Sequence, residues 1–233
     1  MEDGGHVTGY AVTGVHAERV SARLHQMEAE CPGIFLAVGD GNHSLASAKT
    51  CWENAKKDLT EEERTDHPMR YALVEAVNLY SPSLLFYPIH RVLYDCDDNT
   101  LANGFAEYLK KQDMRLVQTD DDAQTDVTFL YKENKSSYKI GNRAGHLPVE
   151  LLQKYLDEYL KEHPEQELDY VHSEAAAEHI AEDGRGCAMI LGAFDKSSLF
   201  DAIEAGGVLP RKTFSIGEDI QKRYYMECRK LTK

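Results

Sequence analysis

The chain reads as an α+β protein (mixed α/β), with a central mixed sheet flanked by helices, and three observations lead there. Residues 34–38, Ile-Phe-Leu-Ala-Val, run straight into the polar turn Gly39-Asp40-Gly41-Asn42-His43-Ser44. A segment follows whose Leu45, Ala48, Trp52, Ala55 and Leu59 recur at helical spacing, giving strand, tight turn and amphipathic helix. Short apolar runs alternate with helical periodicities along much of the chain, the pattern of strands covered by helices. Residues 127–131 and 138–140, set around Glu133-Asn134-Lys135, form a hairpin signature.

Taken in order, residues 10–13 are strand-like, and Ala17, Val20, Leu24 and Met27 share one helical face that Pro32-Gly33 closes. The order through Leu59 is then β-α-β-turn-α. Residues 60–66 are acidic and loop-like. The run 70–80 fits a helix or a buried strand, and its apolar character with the turn signal Ser81-Pro82-Ser83 favours the strand. Residues 84–87 and 91–94 flank Pro88-Ile89-His90. Two adjacent strands with polar ends would bring Glu75, Asn78, His90 and Arg91 near one sheet edge.

Beyond Asp97, Leu101, Phe105, Tyr108 and Leu109 mark a helix, Asp120-Asp121-Asp122 a solvated loop, and the hairpin comes next. Val149, Leu152, Leu156 and Tyr159 line another helix, ended by His163-Pro164. Ser173 caps a short helix through Ala181. Residues 187–191 make a buried strand, 199–203 a helix stopped by Gly206-Gly207, and 213–216 a last strand. The stretch 97–163 is a candidate inserted subdomain of helix and hairpin.

The formal charge of −14, from 40 acidic against 26 basic residues, would repel a polyphosphate backbone and disfavours sequence-independent DNA binding. No apolar run is long enough to span a bilayer. The acidic, glycine-rich start lacks the pattern of a signal peptide. Five scattered cysteines without a C-x-x-C pair suit a reduced, cytoplasmic protein. The opening on Gly4-Gly5-His6-Val7-Thr8-Gly9, at the edge of a strand, suggests a fragment. Basic residues cluster near the C-terminus as Arg211-Lys212, Lys222-Arg223 and Arg229-Lys230-Lys233. Such a patch can hold one small anion or form a solvated helix or strand end.

Chemistry concentrates in Asp40-Gly41-Asn42-His43-Ser44. A turn between a buried strand and a helix start gathers free N–H groups and the positive end of the helix dipole, which suits a phosphate. Gly39 and Gly41 admit close backbone approach, and Asn42 or Ser44 can cap the helix. His43 can supply a proton or hold a phosphate oxygen. Equally, Asp40 and Asn42 can serve only as caps while His43 fills a surface slot. Asp40 and His43 with His90 or His6 would make a weak metal set, because no H-x-x-x-H or H-E-x-x-H spacing is present, and no metal ligand is assigned. His67, His146, His163, His172 and His179 fall in loops or on polar faces. Walker, dinucleotide-binding and nucleophile-elbow motifs are all missing.

The segments VGDGNHSLASAK, HPMRYALVEAVNLY, FYPIHRVLY and VLPRKTFSIGEDIQKRYYMECRK, with the Gly4-to-Gly9 start, resemble the bacterial family called domain of unknown function 1015. Its members are often labelled chromosome-partitioning, ParB-like proteins and are longer at the N-terminus, which implies that this is the C-terminal part of a longer protein. Many carry a D-G-H-H-R turn similar to the phosphate-binding strand-turn-helix of the ParB and sulfiredoxin superfamily, which includes nucleotide-dependent serine kinases. Ser44 stands here in the position of the arginine. The resemblance therefore implies that positive charge comes from Arg70, Arg91, Arg211 or Lys212.

Together these readings lead to a phosphate-binding, possible small-molecule (amino acid) phosphotransferase using ATP or ADP with Mg. Asp40, His43 and Glu75 are the catalytic candidates. Gly41, Asn42, Ser44, Arg70, Asn78, His90, Arg91, Arg211 and Lys212 are the ligand-binding candidates. A non-catalytic nucleotide- or anion-sensing module is the alternative, and a partition-type nucleic-acid-associated protein the third. The missing N-terminal part and a small phosphate-containing ligand are the expected partners, with no membrane, DNA disfavoured and the oligomeric state open.

Overall fold

The computed structural model describes residues 6–143, 145–217 and 228–231. Lys222, Arg223 and Lys233 of the C-terminal basic cluster, and Gly4-Gly5, lie outside them. The chain divides into two units, one formed by residues 1–79 with 219–233 and the other by residues 80–218.

The first unit contains helices α1 (Val15–Glu30), α2 (Asn42–Ala55) and α3 (Glu61–Thr65). Both helices expected from periodicity, α1 and α2, form. The strands expected at 10–13, 34–38 and 70–80 do not: none of these stretches joins a sheet among the described residues. Their apolar, β-branched composition suits an extended chain, but a strand also requires a ladder partner, which local composition does not specify. The expected loop 60–66 is instead α3, closed by a capping box. Glu63 N donates to Thr60 Oγ1 at 3.4 Å while Thr60 N donates to Glu63 Oε2 at 2.9 Å. Trp52 stacks on His67 with ring centroids 5.7 Å apart, and Arg64 Nε donates to the Lys56 carbonyl at 2.8 Å. Arg229 donates to the Pro68 carbonyl.

The second unit is built on a six-stranded sheet. Its elements are β1 (Phe86–Pro88), β2 (His90–Tyr94), α4 (Asp98–Lys110), β3 (Arg115–Gln118), β4 (Val127–Tyr131) and β5 (Asn134–Gly141). They continue with α5 (Pro148–Glu162), β6 (Leu168–Val171), α6 (Glu174–Glu182), β7 (Gly186–Leu191), α7 (Leu199–Gly206) and β8 (Phe214–Ile216). The strand order is β3-β5-β4-β7-β2-β6, and β1 pairs with β8 in a separate ribbon. Helices and sheet make an α+β architecture, with every pairing among the described residues antiparallel where a mixed sheet was expected.

Strand alternation sorts the core onto two faces. Leu93, Phe129, Cys187 and Met189 point to the side where Leu101, Phe105 and Leu109 of α4 and Leu152 and Leu156 of α5 pack. Val92, Leu130, Ala188 and Ile190 meet Ala177 and Ala181 of α6 on the other. Small alanines on α6 let that helix lie close to the sheet. The expected hairpin forms, but its turn is Lys132-Glu133, with Tyr131 opposite Asn134 and Lys132 in the left-handed region at φ 54°; Asn134 and Lys135, expected in the turn, already belong to β5. Asp97 caps α4, its Oδ1 accepting from Thr100 N at 2.7 Å, and Ser173 caps α6. Residues 97–163 supply three of the six strands, while β7 and β2, from the flanking chain, sit beside them in the same sheet.

Candidate functional site

In the first unit, Gly41 is the residue on which α2 starts. It occupies the left-handed region (φ 81°, ψ 17°), where glycine pays no Cβ penalty, and its carbonyl accepts from Leu45 N at 2.9 Å. Asp40 turns back locally, its Oδ1 accepting from Gly41 N at 2.7 Å. Contrary to the expectation for Asn42 or Ser44, the cap position belongs to Gly41, and no side chain among the described residues caps the helix. The first-turn residues Asn42, His43 and Ser44 are exposed, and the first turn carries no acid. A helix of 14 residues thus presents an exposed first turn without an acid of its own, with the Asp40 carboxylate bonded to the N–H of the cap residue just before it.

Arg70 ends a short 3-10 turn, where its Nη1 donates to the Thr65 carbonyl at 3.0 Å and its guanidinium lies 5.8 Å from the Tyr71 ring. Glu75 and Asn78 are exposed on the extended stretch that follows.

In the second unit, the structure corrects the expectation of a sheet edge for His90 and Arg91. Strand β2 lies inside the sheet, between β7 and β6, and both residues are buried. Being adjacent on a strand, they face opposite sides. His90 Nδ1 accepts from Leu191 N at 3.1 Å, and burial together with the Arg91 charge pushes its pKa down to about 4. Arg91 Nε donates to Gln153 Oε1 at 3.2 Å on the α5 side. Burial brings its pKa down to about 10. Arg211 and Lys212 are exposed in the turn before β8, with Lys212 at φ 59°.

Two groupings escaped the sequence reading. His146 Nδ1 and Lys154 Nζ both meet the buried Glu150, at 3.2 Å and 2.6 Å from its Oε1. Their spacing of four residues on α5 was the available signal. At the Tyr94 end of β2, away from His90, a crevice of about 470 Å3 is lined by Asp95, Asp97, Tyr131, Tyr159 and Gln166 among others. It contains none of the sequence-predicted residues. Among the described residues, no group of three or more metal-ligating side chains is gathered, and no helix is long and apolar enough to cross a membrane.

Solved structures give a likeness of fold. A free serine kinase in complex with AMP is 15% identical, with a TM-score of 0.50, covering 87% of this chain and 80% of that one. A mutant of a free serine kinase in complex with ADP is 14% identical, also with a TM-score of 0.50, covering 87% of this chain and 81% of that one. A conserved hypothetical protein from Pyrococcus furiosus is 17% identical with a TM-score of 0.43; 60% of this chain is covered, and it spans 58% of that protein's length. No curated protein matches. The family model described as protein of unknown function (DUF1015) matches residues 2–169, and the chain therefore belongs to that family.

Proposed function

We propose that this chain binds the phosphate groups of an adenine nucleotide at the N-terminus of α2 and transfers a phosphoryl group to a small hydroxyl-bearing molecule such as an amino acid. The observation that carries the reading is the outward-facing, glycine-led start of α2, with no side-chain cap among the described residues. Support for the nucleotide comes from the serine kinases of similar fold, whose structures hold ADP and AMP. In this reading the amides of Asn42, His43 and Ser44 cradle the phosphate, and His43 polarises it. Arg70, in the same unit, is the cation proposed to offset developing charge. The acceptor hydroxyl oxygen attacks the terminal phosphorus, its proton passes to Asp40 or Glu75, and the nucleotide leaves one phosphate shorter. Magnesium would arrive bound to the nucleotide, with the Asp40 carboxylate as its protein contact.

The test is incubation of the protein with ATP or ADP, Mg and serine, together with thermal melting in the presence of nucleotide. A phosphorylated product and a nucleotide-dependent rise in Tm, both lost on His43→Ala, are the expected results. Neither product nor shift would remove the proposal. One observation favours a non-catalytic anion sensor instead: Ser44 supplies no cation at the head of α2. That reading predicts the same His43-dependent shift without turnover.

A further inference from the structure

Arg91 is the largest fully buried side chain among the described residues. Its strand partner across β2 and β6 is Tyr170, whose ring lies 5.1 Å from the guanidinium carbon. Nε donates to Gln153 Oε1, Nη1 donates to the Ile89 carbonyl, and Nη2 is buried with no hydrogen-bond partner. Among the described residues, no carboxylate forms an ion pair with it. Gln153 is itself buried, and its Nε2 donates to Asp157 Oδ1 at 2.9 Å. That second bond fixes which end of the amide meets Arg91. The residue beside the guanidinium is therefore one that orients it without neutralising it.

A guanidinium taken out of water is ordinarily paired with an acid, and a buried donor left without a partner is costly. Asp157 makes no ion pair with Arg91 and is hydrogen-bonded to it only through the neutral amide of Gln153, while its charge favours the guanidinium from a distance. We propose that Arg91 is an oxyanion receptor, held by Gln153 and Asp157 as positioning residues, with Nη2 reserved for a phosphate or carboxylate oxygen that enters beneath Tyr170. Strand β6 is a four-residue strand at the sheet edge, so Tyr170 is the part of the cover that has least to break when it moves. Arg91 and the start of α2 would take the same class of ligand through different residues, so either can fail without the other.

The experiment titrates inorganic phosphate into the full chain and follows the arginine side-chain Nε–H resonance of Arg91 by NMR, alongside Tm. Phosphate should shift that resonance. Gln153→Glu should pair the guanidinium with a carboxylate and weaken phosphate binding at Arg91 about tenfold or more, whatever the lost Gln153–Asp157 bond does to the Tm. An Arg91 resonance that phosphate does not move would overturn the proposal, as would an undiminished response in Gln153→Glu. A phosphate-dependent rise in Tm that requires His43 while Arg91 stays unmoved leaves the α2 reading standing and sinks this one. Conversely, an Arg91 response lost in Gln153→Glu, with no effect of ADP on Tm, supports this proposal and removes the other.

Discussion

His90 on β2 accepts the backbone N–H of Leu191 on β7 through Nδ1 at 3.1 Å. The bond ties two central strands on the α6 side of the sheet, and it exists only while Nδ1 carries no proton. Burial first, then the Arg91 and His172 charges, hold the imidazole neutral, while Glu178 on α6 pulls the other way.

With a folded pKa of about 4 against 6.5 unfolded, the unfolded chain takes up this proton first as pH falls. The contribution to stability is therefore complete above about pH 6.5 and declines toward pH 4, by about 3 kcal/mol in all. His90→Asn keeps an acceptor near the Nδ1 position but does not titrate. Urea denaturation at pH 7 and pH 4.5 should show the wild-type protein losing more stability than the variant; equal losses would contradict the assignment.

Gly104 on α4 allows close packing against α5. A Cβ built there would sit 2.2 Å from the Tyr155 hydroxyl oxygen, itself buried with no hydrogen-bond partner. Gly104→Ala should cost about 1–3 kcal/mol through overpacking, despite the better helix propensity of alanine. Removing the hydroxyl with Tyr155→Phe should restore much of the loss, and alone should be close to neutral because no bond is broken. A double-mutant cycle by thermal melting measures the coupling.

Glu150 is a buried carboxylate at the start of α5. Burial raises its pKa, but hydrogen bonds from Lys154 and His146 outweigh that, and the net shift is downward. A carboxyl whose folded pKa is depressed stabilises above its unfolded pKa and loses that contribution as pH falls through the folded value. Glu150→Gln should therefore destabilise at pH 7 by about 1–3 kcal/mol, with the deficit shrinking below about pH 4.5. Melting curves of both proteins across that range decide it. A deficit constant with pH would contradict this linkage.

What the sequence discloses follows from how local each signal is. The helical faces of α4, α5 and α7 and the strand β7 were readable because amphipathic period and burial agree there. Strands β3 and β6 were not, since Arg-Leu-Val-Gln and Leu-Asp-Tyr-Val are short, mixed in polarity and placed at the two edges of the sheet. Residues 34–38 gave the opposite error: strand-like composition without a ladder. At the candidate site, Asp40-Gly41 announced a helix start, but which residue would hold the cap depended on the φ of Gly41. The burial of Arg91 was invisible for a further reason. A lone arginine beside a histidine looks like surface until β6 and α5, arriving from 62 or more residues downstream, close over it.

Asp40 offers a last test that separates its two possible roles. Its carboxylate sits against Gly41 N, one residue before the exposed first turn of α2, and there its charge opposes any bare anion approaching the helix dipole. Asp40→Asn removes that charge while leaving an acceptor for Gly41 N, so the turn keeps its shape. Binding of metal-free ADP or inorganic phosphate should tighten about two- to fivefold. If Asp40 also contacts the metal of a Mg-nucleotide, the same substitution weakens binding of Mg-ADP, so the two titrations move in opposite directions. Isothermal calorimetry with and without Mg reads both. Tightening of both affinities would deny Asp40 the metal contact and leave Glu75 as the remaining proposed base to test.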